Sequence, residues 1–542
     1  MKETIKYLIP EKTVYIKGNI KNEQTLLVKK PEQIALGEQD TAIFKGECKI
    51  VFDFGHEIQG GVRILTHYIT DGMPVRLRFG ESLTEALTPA GVKNATNDHS
   101  LRDFTVSLPQ LSDQEFAQTG FRFLCIEFYG GEYYIKNVYA KSVYEQRKIE
   151  GSFICSDERL NKIYSVAQKT LLLCMQHGMI WDGIKRDRLV WIGDLHPETL
   201  GLLYTSSEIE NLENCIDFAT KETPPNFWMN GHASYSFWWI LTLYDYLRFT
   251  GKKEKVGLYV DYLDKLVKNI DDKIEENGKT HFPNYFLDWP SSDTEDSKTG
   301  CIALLKIAMQ KAKEIFTLFG LNCSYADSVL NKLSAYTFIE PDLKQAIAIK
   351  YFSDKKDSAR VKEKLSLGGA DGYSTFLSYY IATALKNAGG VNDALNSIRD
   401  YYGGMLDMGA TTFWEDFNLK AAKNCCPIDR LPEKGEEDVH GDRGDYCYKG
   451  FRHSLCHGWS CGPIAFLTET VLGINVAAMA CKKIEISPKL CCLSFAKGSI
   501  PTPYGTVKVS HKVNKNGIDT EVIAPEKIEI VANGCNLTRK FI

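Results

Sequence analysis

Four short stretches set carboxylates beside tryptophans. DGIKRDRLVWIGD, residues 182–194, carries Asp182, Arg186, Asp187, Trp191 and Asp194. NYFLDWPSS supplies Asp288 and Trp289, MGATTFWEDFN supplies Trp414 and Glu415, and SLCHGWSCGP supplies His457 and Trp459. These residue types fit cleavage of a glycosidic bond. One protonated carboxylic acid gives its proton to the departing oxygen, while a second, ionised carboxylate activates water or attacks the anomeric carbon. Flat indole faces cover the apolar side of a sugar ring, and Asp and Arg grip its hydroxyls. The competing reading of 182–194 is a salt-bridged loop in which Arg186 and Arg188 pair with Asp182 and Asp187.

Residues this far apart can act together only if the fold gathers them. The hydrophobic period shows how. Up to about residue 150 the chain alternates at period two, as in CKIVFDFG, GGVRILTHYI and FRFLCIEFYGG, with Gly and Asp turns between. That is the pattern of an antiparallel β-sandwich. From about 155 to 480 the period becomes helical, as in ERLNKIYSVAQKTLLLCMQ and SFWWILTLYDYLRFTG, and several helices end at glycine. KIEISPKL, GTVKVSHKV and KIEIVANG return the chain to strands. At roughly 25 to 30 residues per helix and connection, about twelve helices fit the middle region. No tandem repeat argues for a solenoid.

The expected architecture is therefore multidomain. An N-terminal β-sandwich spans 1–152, a central all-α (α/α)6 barrel spans 153–480, and a C-terminal antiparallel β-sandwich spans 481–542. Residues 182–194 then form a rim loop between two barrel helices. Asp194 is the expected N-cap of the second helix, with Pro197 in its first turn.

Composition narrows the partners. The chain has 542 residues, with 44% apolar and 25% charged residues and a net charge of −4, which favours neither nucleic acid nor an anionic membrane as partner. No apolar run reaches the length of a membrane span and the N-terminus lacks an apolar signal core, so a cytoplasmic protein is expected. Sixteen cysteines in such a chain read as reduced, buried thiols. The partner expected is a small carbohydrate. A homodimer stays open.

The motifs together resemble glycoside hydrolase family 78, the bacterial α-L-rhamnosidases. DGIKRDRLVWIGD resembles that family's D-x-x-x-R-(D)E-R-x-x-W-x-G-D signature, ATTFWE its second carboxylate motif, and SLCHGWSCGP its later histidine-bearing segment. VFDFGHEIQGGVRI, GESL and PTPYGTVKV are similar to parts of its flanking β-domains. The resemblance covers nearly the whole chain in order. It implies an (α/α)6 barrel, an inverting mechanism, and no metal or other cofactor in catalysis. It puts Asp187 in the column of the general acid and Glu415 in that of the water-activating base. The sequence departs from the family here: RDRL stands where the family carries glutamate, so the acid is one methylene shorter and its loop must approach the sugar more closely. By the same resemblance Asp182, Arg186, Trp191 and Asp194 would hold the rhamnose hydroxyls and its methyl-bearing face. Asp288, Trp289, Trp414 and His457 would complete the pocket. Trp228, in PPNFWMNG, is placed near it, while Trp238 and Trp239 read as core. Burial against Trp191 would keep Asp187 protonated while Glu415 stays ionised, the two carboxyls about 6.5 to 9.5 Å apart.

Other signals carry less. His453, Cys456, His457 and Cys461 match no standard zinc spacing. DWPSSDTED lacks the calcium-loop glycine, and GDRGD at 441–445 reads as a polar turn. Two alternatives to a rhamnosidase remain. One is a barrel glycosidase for another deoxysugar or a uronide, which a more basic pocket would favour. The other is a carbohydrate-binding relative that has lost catalysis.

Overall fold

The computed structural model describes residues 2–34, 40–69, 74–289, 291–444 and 448–541. Asp445, the last residue of GDRGD, lies outside them.

The period-two segment forms one antiparallel sheet. Glu3–Leu8, Lys12–Lys21, Ala42–Ile69, Pro74–Gly80, Asp103–Ser107 and Asp113–Glu145 are its strands. Ala42–Ile69 and Asp113–Glu145 are long and pair along most of their length, with register shifts that bend them, as between Asp53 and Ile58. The alternating apolar residues bury a core of their own that includes Phe52, Phe79, Phe121 and Phe128. A short helix, α1 (Leu83–Leu87), follows the strand ending at Gly80, and the Ser82 hydroxyl caps it by accepting from the Glu85 N–H.

The middle of the chain is helical: α2 (Glu158–Cys174), α3 (Ile192–Thr205), α4 (Glu210–Glu222), α5 (Ala233–Thr250), α6 (Lys253–Gly257), α7 (Val260–Asp271), α8 (Glu295–Phe319), α9 (Ser324–Ser334), α10 (Lys344–Asp354), α11 (Ser358–Ser366), α12 (Ser378–Asn387), α13 (Val391–Asp407) and α14 (Pro463–Thr470). Their ends follow local chemistry. Asp157 caps α2 through the N–H groups of Arg159 and Leu160, and Thr294 caps α8 through that of Ser297. Gly251 and Gly320 close α5 and α8 in the left-handed region that favours glycine.

Six of these helices close a cycle. α3 packs on α5, α5 on α8, α8 on α10, α10 on α12, α12 on α14, and α14 back on α3. α2, α7, α9, α11 and α13 pack against members of this cycle from elsewhere in the chain. Among the described residues, two-residue ladders at Met175–Gln176 with Met179–Ile180 and at Cys425–Cys426 with Glu437–Asp438 interrupt the helical region, as do single bridges between Gly183 and His457 and between Ile274 and Thr280. Among the described residues no helix is long and apolar enough to cross a membrane.

The last strands form two sheets. Asn536–Phe541, Gly517–Ala524, Val507–Asn514, Phe495–Ile500 and Ser152–Cys155 make one, in that order; Ile474–Val476, Lys483–Ile486 and Glu529–Ala532 make the other. The expectation of a wholly antiparallel C-terminal module is corrected: Gly517–Ala524 pairs parallel with Asn536–Phe541, and Lys483–Ile486 pairs parallel with Glu529–Ala532. Glu529–Ala532 belongs to the other sheet, so the chain leaves the first sheet after Ala524 and returns in the same direction, which no tight hairpin can do. The expected boundary at 152/153 falls inside Ser152–Cys155, which pairs with Phe495–Ile500. One apolar core runs from Phe153 through the helices to Ile528, so helices and C-terminal sheets are buried against each other.

Candidate active site

Residues 182–194 lead into α3, and their shape follows from a few bonds. The Asp182 carboxylate accepts from the Leu189 N–H at 2.9 Å and folds the segment back on itself. Asp187 and Arg188 sit consecutively at φ 55° and 57°, an unfavourable conformation for side-chain-bearing residues that tends to persist where the surroundings impose it. Asp194 is not the N-cap of α3. The helix starts at Ile192, whose N–H is capped by the Asn230 side chain at 2.9 Å. Asp194 therefore lies in the first turn with its carboxylate free for another partner, and Pro197 lies inside the helix rather than in its first turn.

That partner comes from SLCHGWSCGP. The His457 Nε2 lies 3.0 Å from Asp194 Oδ1, and its Nδ1 lies 4.0 Å from Glu415 Oε1. The Gly458 N–H donates to the Asp182 carbonyl at 2.6 Å, stitching the two segments together. A Cβ at Gly458 would meet the Glu198 carboxylate, which would have to shift to admit it.

Glu415 is fixed on all sides. Its N–H donates to the Ser454 carbonyl at 2.9 Å, and its own carbonyl accepts from the Trp459 indole at 2.9 Å and from the Thr375 hydroxyl. Its Oε2 accepts from the Ser454 N–H at 3.1 Å, and its Oε1 meets Arg186 Nη2. The other Arg186 amine, Nη1, reaches Asp187 Oδ1 at 3.2 Å. Arg186 thus bridges Asp187 and Glu415. Burial opposes the Glu415 charge, but Arg186, His457 and His453 outweigh it and hold the carboxyl at about 2. Burial likewise opposes the His457 cation, yet Glu415 and Asp194 raise it to about 9.

Asp288 is buried beside the Ser374 hydroxyl, which donates to it, and accepts from the Trp289 N–H at 2.8 Å. Burial pushes its carboxyl up to about 8, against the Ser374 bond. Trp289 and Trp414 open onto a cavity of about 730 Å³ that also meets Ser374, Asp416, Tyr448 and His453.

The expected residues are thus gathered in two adjoining groups. Arg186, Asp187, Asp194, Glu415 and His457 form one chain of polar contacts, with Asp182 tied to it through the Gly458 N–H. Trp289 and Trp414 border the cavity, and Asp288, outside its wall, is bonded to Ser374, which lines it. Asp187, Glu415, Asp194 and His457 are not in that cavity's wall: Arg186, Ser454 and His457 close over Glu415, while its neighbours Trp414 and Asp416 face the cavity. Trp191 packs edge-on against Tyr235, and Trp228 packs against Phe237 and Phe282, both half-buried and outside the wall. Of the salt-bridged alternative, Arg186 pairs with Asp187, while Arg188 instead lies over the Trp181 ring and donates to the Gln118 carbonyl.

Several contributors went unread in the sequence. His453 accepts from the Asp416 N–H at 2.9 Å, so its Nε2 is engaged; in the sequence it stood out only within a His/Cys set that matches no zinc spacing. Lys185 is buried against Glu81 at 2.9 Å and Glu85 at 3.3 Å, and donates to the carbonyls of Phe451 and His453. Glu81 also accepts from the Leu455 N–H at 2.6 Å. The N-terminal sheet domain thereby holds both segments that frame Glu415. Glu81 and Glu85 lie with His440 close enough to share a cation, and the Lys185 ammonium already stands between the two glutamates.

This fold is shared with carbohydrate-cleaving enzymes. A rhamnosidase of the GH78 family from Bacillus sp. GL1 superposes with a TM-score of 0.75 at 21% identity, over 96% of this chain and 57% of that one. An α-L-rhamnosidase from Streptomyces avermitilis complexed with L-rhamnose gives 0.70 at 14%, over 89% and 48%. A rhamnosidase from Klebsiella oxytoca with rhamnose bound gives 0.66 at 18%, over 86% and 96%. A curated protein from Alteromonas sp. (strain LOR) called alpha-L-rhamnosidase is 29% identical over 124 residues, 23% of this chain and 11% of that protein. The chain spans about half the length of the Bacillus and Streptomyces enzymes. No family model matches it. The resemblance to the α-L-rhamnosidases of glycoside hydrolase family 78 drawn from the motifs thus extends to the fold.

Proposed function

We propose that this chain is a family 78 α-L-rhamnosidase that releases terminal α-L-rhamnose from plant glycosides or oligosaccharides with inversion. The observation that carries the reading is the contact chain Asp187–Arg186–Glu415–His457–Asp194, drawn from three distant segments. The closed cycle α3–α5–α8–α10–α12–α14 supports an (α/α)6 barrel, and the bent N-terminal sheet and paired C-terminal sheets support flanking sandwiches.

The two carboxylates suit different roles. Glu415 is the deeper one, its side chain 4% exposed against 16% for Asp187. Arg186 and His457 keep Glu415 ionised, so it can accept a proton from water, and drawing Arg186 away onto the substrate would strengthen it as a base. Asp187, nearer the surface, is placed to meet the departing oxygen, which must leave towards solvent. Arg186 lies between them where the sugar must enter, so substrate hydroxyls take over part of its hydrogen bonding. Trp289, half-buried at the cavity, offers its ring to the sugar or the group attached to it, while the buried Trp414 shapes the wall behind.

The cavity wall favours a neutral sugar over a uronide. It carries Asp342, Asp371, Asp416 and Asp442 against Lys344, Lys420 and Arg443. Lys344 is already bonded to the carbonyls of Leu367 and Gly369. A screen of 4-nitrophenyl glycosides tests the reading. Turnover is expected on the α-L-rhamnoside; turnover confined to another sugar, or on none, overturns it.

A further inference from the structure

The loop between α1 and Asp103–Ser107 reaches out of the N-terminal domain to the 182–194 segment. His99 lies at its tip, with Nδ1 3.2 Å from Asp187 Oδ1, the same oxygen that Arg186 holds. Both His99 and Asp187 adopt left-handed backbone, at φ 67° and 55°. The loop is docked on each side of the histidine. Asp98 is paired with Arg452, and the Ser100 hydroxyl donates to the Lys185 carbonyl at 2.8 Å. Asn97 braces the base of the loop by accepting from the N–H groups of Arg102 and Asp103. An imidazole held this way, strained and pinned on both flanks, is not a free surface side chain.

Resting on the assignment of Asp187 as general acid, we propose that His99 is a positioning residue that returns the proton to Asp187 after each turnover. When Asp187 protonates the glycosidic oxygen, the C–O bond breaks with its electron pair staying on that oxygen, and Asp187 is left as a carboxylate. The attacking water loses its proton to Glu415. Protonated His99 then passes a proton from Nδ1 to Asp187 Oδ1 and regains one from bulk water, to which its side chain is 31% exposed. Glu415 releases its proton to solvent, and the cycle balances. The charged groups facing the imidazole are Asp98 on its own loop, with Arg452 behind it, and Asp187 and Arg186 opposite.

The test compares His99→Gln and His99→Ala with the wild-type enzyme on an alkyl and a 4-nitrophenyl α-L-rhamnoside. On the alkyl substrate, which needs the acid, kcat is expected to fall about tenfold or more in both variants. On the aryl substrate, which departs with little protonation, it is expected to stay within about twofold, and KM and the unfolding temperature are expected to hold. Added imidazole buffer is expected to restore alkyl turnover in His99→Ala and to leave the wild type unchanged. Equal losses on both substrates without rescue, or no loss on either, overturn the proton role while leaving the rhamnosidase reading intact. A wild type inert on both overturns the rhamnosidase reading and the proton role with it.

Discussion

Arg186 and Glu415 form a buried ion pair, and the same guanidinium holds Asp187 with its other amine. One cation therefore contacts both carboxylates and holds Glu415 ionised. Replacing Arg186 by Met leaves Glu415 buried without its main partner, an arrangement that destabilises by about 3 to 5 kcal/mol in comparable buried pairs. The variant is expected to unfold at a markedly lower temperature and to move the acid limb of kcat/KM to higher pH, because Glu415 then binds its proton more readily. Unchanged stability and an unchanged acid limb would show that the pair does not govern Glu415.

Asp187 is expected to matter in proportion to the leaving group. Asp187→Asn should lose about 10² to 10⁴-fold on an alkyl rhamnoside. The loss should be much smaller on 4-nitrophenyl rhamnoside. Equal losses would mean that Asp187 only orients the sugar.

His457 links the site to stability at alkaline pH. Its folded value of about 9 lies above the ordinary imidazole value, so protonation favours the folded state. That contribution is fully present below about pH 6.5 and is lost as pH rises through 9. Unfolding temperatures of wild type and His457→Asn should therefore differ most near pH 6 and converge towards pH 9 and above. Curves that stay parallel across this window would contradict the raised value.

Lys185 tests the grip of the N-terminal domain on the site. Lys185→Met leaves Glu81 and Glu85 buried without their ammonium and frees the carbonyls of Phe451 and His453. Stability is expected to fall by about 3 to 5 kcal/mol. Proteolysis should then open the 451–456 segment first. A variant as stable and as protease-resistant as the wild type would show that the clamp is dispensable.

What the sequence discloses here follows the range of its signals. The change of hydrophobic period near residue 155 is local, and α2 begins there at Glu158. Trp414 and Glu415, or His457 and Trp459, are neighbours in sequence, so their chemistry was legible as motifs. The Asn230 cap of Ile192 was not, because it reaches across 38 positions, and it freed Asp194 for a partner no spacing could name. Arg186 reads from its motif as a sugar ligand, yet only the packing shows its two amines divided between Asp187 and Glu415. The boundary read at 152/153 cuts through Ser152–Cys155, because the pairing of that strand with Phe495–Ile500 depends on strands at the far end of the chain. His99 had no sequence signal at all, since its proximity to Asp187 comes from one domain resting on another.

The account centres on Glu415 activating water for direct displacement of a rhamnoside. The most direct measurement is the NMR spectrum of 4-nitrophenyl α-L-rhamnoside during the first minutes of hydrolysis, with Glu415→Gln alongside. Direct displacement by water predicts that β-L-rhamnose appears first and mutarotates later, and that the variant releases it about 10² to 10⁴-fold more slowly. Initial release of α-L-rhamnose, or equal rates in wild type and variant, would contradict it.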